Sequence, residues 1–310
     1  MAAMKTAALL LVLTLSLNAL AADDPIGWAS VDGGTRGGAG ARAVVATDAE
    51  AFTKAVTSAG PLIVRVSGRV KLGGTVRVKP QKTIVGQGAD AALTGGGLNL
   101  RSTSQVIVRN LSIHDSPDDA VNIEGSHHVW IDHCDLSKCR DGLLDIKAAS
   151  DFVTVSWNRF HDHEKTCLLG HSDNPKVLAG DKGHLRVTYH HNFFDGSQTR
   201  HPRVRIGETV HVFNNYYRDC EYGVASVSDA GVLVEGNFFE NVKNPTHTLY
   251  GNSKQPGRLV ERLNASARSG PLSTRGEVRE AKDSYAYTLD EAQRVPELVR
   301  AGAGVGKLLE

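Results

Sequence analysis

Three aspartates and four cations in the middle of the chain are spaced so that they could do chemistry together. They are Asp119, Asp141 and Asp145, followed by Lys165, Arg200, Arg203 and Arg205. Carboxylates brought within ~5–10 Å of one another, the scale of one or two strand spacings, repel unless something positive lies between them. An all-oxygen set of this kind suits a hard ion, Ca²⁺ before Mg²⁺ where the site is open to solvent. The cations suit an extended anionic ligand, because a guanidinium can grip a carboxylate through two hydrogen bonds. Taken singly, each aspartate reads as a surface carboxylate paired with Lys or Arg. Arg203 alone reads as part of a solvated charged face. Matched spacing is what argues for more.

That spacing comes from a repeat. A polar residue closes a Val/Ile/aromatic run at Asn110, His133, Asn158, Asn192, Asn215 and Asn237, and Asn264 continues the series. The steps are 23, 25, 34, 23 and 22 residues, a period that indicates a solenoid. The units lack the fixed leucines and helical half of leucine-rich repeats, and hold too many β-branched residues and glycines for helical repeats. Short strands, roughly three per ~23 residues, fit a parallel β-helix, with rungs stacked ~4.8 Å apart. Asn at one corner of successive rungs can then form a hydrogen-bonded ladder. With this ladder as a ruler, Asp119 and Asp145 fall 14 and 13 residues before their markers and are expected on the same strand of adjacent rungs. Asp141, Lys165 and Arg200 follow theirs by 8, 7 and 8 residues and are expected to share a face. The long step holds ~10 residues beyond a normal rung, placed at 170–183, and solenoid insertions often collect on a binding face. A helix starting near Asp48, with Thr47 or Asp48 as cap, and a last helix from Pro296 are expected to cover the two open ends.

Residues 1–21 read as a signal peptide: Lys5, an apolar run from Ala7 to Leu17, then small residues before Ala22. The run is too short to span a bilayer, which takes ~20 residues. A secreted domain at 22–310 is therefore expected, with no membrane partner and a monomeric state. The formal charge is +1 and becomes zero once Lys5 is removed with the leader, so no nucleic-acid partner is indicated. Cys134, Cys139, Cys167 and Cys220 allow three pairings. Their spacing is poor for zinc, leaving buried thiols or one disulfide. The pairs His127-His128 and His190-His191 read as structural, because neighbours on a strand point to opposite faces. Trp130 and Trp157 read as packing residues.

In combination, VWIDHC, DGLLDIKAAS, TVSWNRFHDHEK, YHHNFF and RHPRVRIG strongly resemble the pectate lyases of polysaccharide lyase family 1. The resemblance runs from about Val31 to the AGAGVGK tail. It implies an all-β, right-handed, single-stranded parallel β-helix with a short N-terminal capping helix. It also implies Ca²⁺-dependent cleavage of polygalacturonate (demethylated pectin) by β-elimination. By position, Asp119, Asp141 and Asp145 resemble the family's Ca²⁺ ligands, Arg200 its catalytic base, and Lys165 and Arg205 its binders of substrate carboxylates. Two departures stand out. Pro117 occupies a place where some members carry a further acid, which leaves the direction of Asp118 open. Asp141 stands where many have Glu.

A base with the chemistry of Arg implies an alkaline optimum, since free guanidinium holds its proton to a pKa above ~12. The alternatives are a pectin lyase acting on methylated pectin and a non-catalytic pectin-binding protein. The three acids argue against the first, and the intact set of charged residues against the second. Asp118-Asp119 superficially matches the paired acids of polygalacturonases, but their Gly-His-Gly and Arg-Ile-Lys segments are absent.

Overall fold

Runs rich in Val, Ile and Leu, broken by Gly, Asn and Asp, form short strands that cannot bury a face alone. Stacking them solves this. The computed structural model describes residues 24–308; the leader read at 1–21 lies outside them. The strands make two sheets, one of eight strands and one bent sheet of seventeen. One rung supplies Val121–Glu124 to the smaller sheet, then His127–Asp132 and Asp135–Ser137 to the larger. The next rung repeats this with Leu144–Lys147, Asp151–Ser156 and Arg159–His161. Pairing between rungs is parallel and in register, as in Ile123 with Ile146 and Ile146 with Leu169. The fold is the expected parallel β-solenoid.

The alternation of side chains along each strand sends one set inward. Ile123, Ile146, Leu169 and Val204 are fully buried on top of one another. Phe160, Phe194, Tyr217 and Phe239 form a second internal stack, with ring centroids 5.1, 4.9 and 4.5 Å apart. Each such side chain contributes about 1.5–3 kcal/mol of burial.

The asparagine ladder is present, one residue off at its start. Asn158, Asn192, Asn215, Asn237 and Asn264 are joined side chain to side chain at 2.9–3.0 Å. Below Asn158 the ladder meets the amide of Cys134, which donates to Asn158 Oδ1 at 2.8 Å. His133 and Asn110 therefore lie one place before the ladder position. They occupy a left-handed corner, at φ 48° and 52°, that Trp157, His191 and Asn214 fill on later rungs. Asn suits both the corner and the ladder, so spacing alone could not separate them.

The ends are closed differently from expectation. Helix α1 (Ala49–Thr57) does cover the N-terminal end: Asp48 caps it by accepting from Ala51 N at 2.8 Å, and Phe52 and Val56 are buried against the core. Helix α2 (Pro175–Asp181), capped by Asn174, forms within the 170–183 insertion. Helix α3 (Val295–Gly302) does not cover the C-terminal end. It lies along the side, where Val295 and Val299 pack on Phe193 and Tyr216. Beyond it Gly304 N donates to Trp157 O at 2.8 Å and Gly306 N to Asn110 Oδ1 at 2.6 Å. The cause is an outward stripe of aromatic side chains that needs cover. The C-terminal end is instead approached by Leu272, packed on the core, and by an antiparallel bridge between Leu259 and Arg275.

All four cysteines are free thiols, which decides between the two readings left open; burial pushes the Cys134 thiol up to about 12. Among the described residues no helix is long and apolar enough to cross a membrane.

Two stability predictions follow from these contacts. Asn192→Ala leaves the amide and side chain of Asn158 without their acceptor, and is expected to cost about 2–4 kcal/mol in denaturant unfolding. Glu235 is buried beneath the tail. Burial opposes its ionisation, but hydrogen bonds from His211, Tyr287 and Arg262 hold its carboxyl down at about 2. A depressed carboxylate contributes stability above its unfolded pKa of ~4.3 and loses it as pH falls to about 2, roughly 3 kcal/mol in all. Glu235→Gln should therefore flatten the loss of unfolding free energy between pH 5 and pH 2.5.

Candidate active site

The acidic residues converge on the outer surface of the eight-stranded sheet. A turn before Val121–Glu124 is pinned by Ser116, whose Oγ donates to Asp119 O at 2.9 Å and accepts from Asp118 N at 3.3 Å. That turn presents Asp118 and Asp119 toward Asp141 on the next rung. One carboxylate oxygen from each of the three lies within 4.8 Å of the others. Asp118, whose direction the sequence left open, thus points into the group.

Asp145 enters from the side. It pairs in register with Asn122, not with Asp119, which lies opposite the Asp141-Gly142 turn and accepts from Gly142 N at 2.7 Å. The expectation that Asp119 and Asp145 share a strand position is corrected by three residues. They meet nonetheless, because Gly142 has no side chain between them. A Cβ there would lie 2.4 Å from Asp145 Oδ1 and 3.0 Å from Asp119 Oδ1. Asp145 Oδ1 is buried with no hydrogen-bond partner among the described residues. Burial, then the Asp119 charge, push the Asp145 carboxyl up to about 7. Burial likewise raises Asp119. Crowded carboxylates, one with an orphaned buried oxygen, at a glycine that a Cβ would obstruct, have the donor chemistry of a hard-cation site. The residues fit such an ion.

The cations sit one and two rungs on. Lys165 Nζ lies 3.3 Å from Asp141 Oδ1. Lys165 pairs with Thr199, so Arg200 is one residue past it and not in line as the ruler expected. Arg200 has φ 68°, the same left-handed conformation that recurs at corners along this solenoid. Among the described residues its guanidinium has no hydrogen bond or ion pair, while its charge reaches Asp145. Arg203 is not solvated as expected. It is half-buried, donating to Tyr250 O at 3.2 Å and Ser253 Oγ at 3.3 Å. Arg205 is buried, donating to Gly170 O at 3.1 Å with Nε 3.3 Å from Asp173 Oδ1. Asp173 was missed. Its only signal was its place in the insertion.

The histidine pairs are structural, though for a different reason than strand alternation. His190 and His191 face each other, Nδ1 to Nδ1 at 2.9 Å, because His191 sits at the left-handed corner and turns its ring back. Trp157 stacks between His133 and His191.

A family model described as pectate lyase matches residues 1–308. The chain belongs to the pectate lyase family. It is 36% identical to a pectate trisaccharide-lyase of Thermotoga maritima, over 96% of this chain and 93% of that protein. It is 41% identical to pectate lyase plyB of Emericella nidulans, over 70% of this chain and 69% of that protein. A crystal structure of a pectate lyase from Bacillus sp. N165, in complex with trigalacturonate, superposes with a TM-score of 0.83 at 30% identity, covering 91% of this chain and 99% of that one. Pectate lyase II of Xanthomonas campestris gives a TM-score of 0.76 at 27% identity over 92% and 100%. The family's enzymes are lyases, and its members generally use Ca²⁺.

For this pectate lyase family member, calorimetric titration with Ca²⁺ tests the acidic group directly. Asp119→Asn and Asp145→Asn are each expected to weaken binding by roughly tenfold or more, the loss of one charged oxygen ligand. Asp115→Asn, an exposed neighbour, should leave the titration as it is.

Proposed function

We propose that the chain is a secreted, monomeric, calcium-dependent lyase that cleaves α-1,4-polygalacturonate by β-elimination, with residues 1–21 as its leader and 22–310 as the working domain. The observation that supports this reading is Arg200, without a hydrogen bond or ion pair among the described residues, whose charge reaches Asp145 beside the group formed by Asp118, Asp119 and Asp141 on the outer side of the sheet.

Asp119, Asp141 and Asp145, joined by Asp118, would hold the ion. A bound Ca²⁺ would supply positive charge to a uronate carboxylate, which would acidify the proton on the adjacent ring carbon. The remaining work falls to the chain's own side chains. Lys165 and Arg205 hold carboxylates of neighbouring sugar units and fix the polymer along the sheet. Arg200, without a competing hydrogen-bond or ion-pair partner among the described residues, takes the C5 proton in its neutral form. The electron pair released forms the C4–C5 double bond, and the C4–O bond breaks with its pair leaving on the glycosidic oxygen, which takes a proton from solvent water; the products are a 4,5-unsaturated end and a new hydroxyl end. Cleavage of methylated pectin is disfavoured, because a neutral ester would leave Lys165 and a cation held by the acidic group without an anionic counterpart.

The product is a conjugated alkene acid, so ultraviolet absorbance near ~235 nm reports turnover, as expected from its chemistry. Activity on polygalacturonate is expected to exceed that on methylated pectin, to vanish in EDTA, and to return with added Ca²⁺. An undiminished rate in EDTA would remove the ion from the mechanism. Arg200→Lys should bind polygalacturonate nearly as well while losing ~10²-fold or more in kcat, the scale of a lost general base. The activity optimum should be alkaline; a peak near pH ~5, where free guanidinium is wholly protonated, would count against Arg200 as base.

A further inference from the structure

Arg205 has an unusual position for a residue that meets substrate. It is buried; one of its nitrogens is hydrogen-bonded to a single segment of chain and another lies within ion-pair distance of the same segment. Nη1 donates to Gly170 O at 3.1 Å, and Nε lies 3.3 Å from Asp173 Oδ1. Both partners belong to the insertion that lengthens this rung. Gly170 lies against Arg205 so closely that a Cβ would be 2.7 Å from its carbonyl oxygen.

Asp173 is in turn fixed from the opposite side. Ser253 Oγ donates to it at 2.9 Å, and Ser228 Oγ donates to Oδ1. Those serines come from two later segments, and Ser253 also accepts from Arg203 at 3.3 Å. Burial opposes the Asp173 charge, but the two hydroxyls and Arg205 together hold the carboxyl below the usual range. The insertion itself is anchored: Asn174 caps α2, and Asp181 accepts from Ala149 N at 2.6 Å. A surface carboxylate making one loose ion pair would be worth little. This one is gripped by three groups and faces a buried guanidinium, where loss of a partner is costly.

We propose that Asp173 is a positioning residue for the substrate grip: it fixes the plane of the Arg205 guanidinium, through its Nε edge, so that the remaining edge meets a uronate carboxylate. The inference rests on the reading of Arg205 as a substrate binder. It gives the insertion a role. The added residues carry a carboxylate to the rear of Arg205 that a rung of ordinary length has no room to supply. Asp173 touches no reacting atom, so its effect belongs in KM and not in kcat.

The experiment is steady-state kinetics on polygalacturonate, read by ultraviolet absorbance, with melting temperature measured alongside. Asp173→Ala is expected to raise KM about tenfold with kcat within about twofold, the size of a lost charged hydrogen-bond partner. In an Arg205→Ala background the same change should raise KM by less than about twofold, since the two residues act as one unit. Asp173→Glu should recover most of the loss. If Asp173→Ala folds poorly, Ser253→Ala, which removes one hydroxyl from the carboxylate, is expected to raise KM about threefold on the scale of one neutral hydrogen bond. An unchanged KM in these variants, while Arg205→Ala raises it, would overturn the positioning role alone. An equal effect of Asp173→Ala with and without Arg205 would also overturn it. An unchanged KM in Arg205→Ala would overturn both the positioning role and the substrate-binding role of Arg205.

Discussion

Rung-to-rung register is the constraint from which the rest of the molecule follows. The strands are too short to be stable alone, and each gains its hydrogen bonds from the rungs above and below. Register fixes which side chains stack inside, as with Ile123, Ile146 and Leu169. It equally fixes which groups stack outside. The buried asparagines enforce it, because each satisfies an amide on the preceding rung and cannot slip without leaving a buried donor unpaired.

The acidic group is a product of that register and costs the fold something. Parallel stacking would disperse Asp119 and Asp145 if they occupied separate positions on separate faces. Gly142, lying between them, lets both carboxylates reach one point. Burial and mutual repulsion then work against their ionisation. Neighbouring Lys147 and Arg200 relieve only part of this, and neither is bonded to the orphaned oxygen of Asp145. Such a cluster makes sense for binding and not for stability.

The fold was legible because its signals are periodic. Val/Ile alternation, the recurring Asn and the long step each survive in the sequence as counts, and the β-solenoid and the insertion came out as expected. The errors lie where periodicity is ambiguous or ends. Asn110 and His133 mimic ladder residues because the left-handed corner accepts the same residue types, and that one-place slip accounts for one of the three residues by which Asp119 misses the position of Asp145. The direction of Asp118 depended on a Ser116-pinned turn, which spacing does not encode. Asp173 pairs with a residue 32 positions away through an irregular loop, for which no repeat exists to count along. The placement of α3 failed for a different reason: its apolar face was visible, but several surfaces could have received it.

That placement changes how the molecule comes apart. A solenoid held only by neighbouring rungs behaves as a one-dimensional array that can fray from either end. Here the tail leaves the last rungs and runs back over Asn214, Tyr216 and Trp157 to reach Asn110. It ties early rungs to late ones across nearly 200 residues of sequence, with 196 positions between Asn110 and Gly306. Peeling the last rungs must first detach this strap, and losing the strap uncovers aromatic side chains on several rungs at once. The rungs between Asn110 and the tail are thereby joined into one unit, in which the middle rungs that carry the carboxylates are shielded from fraying at the C-terminal end.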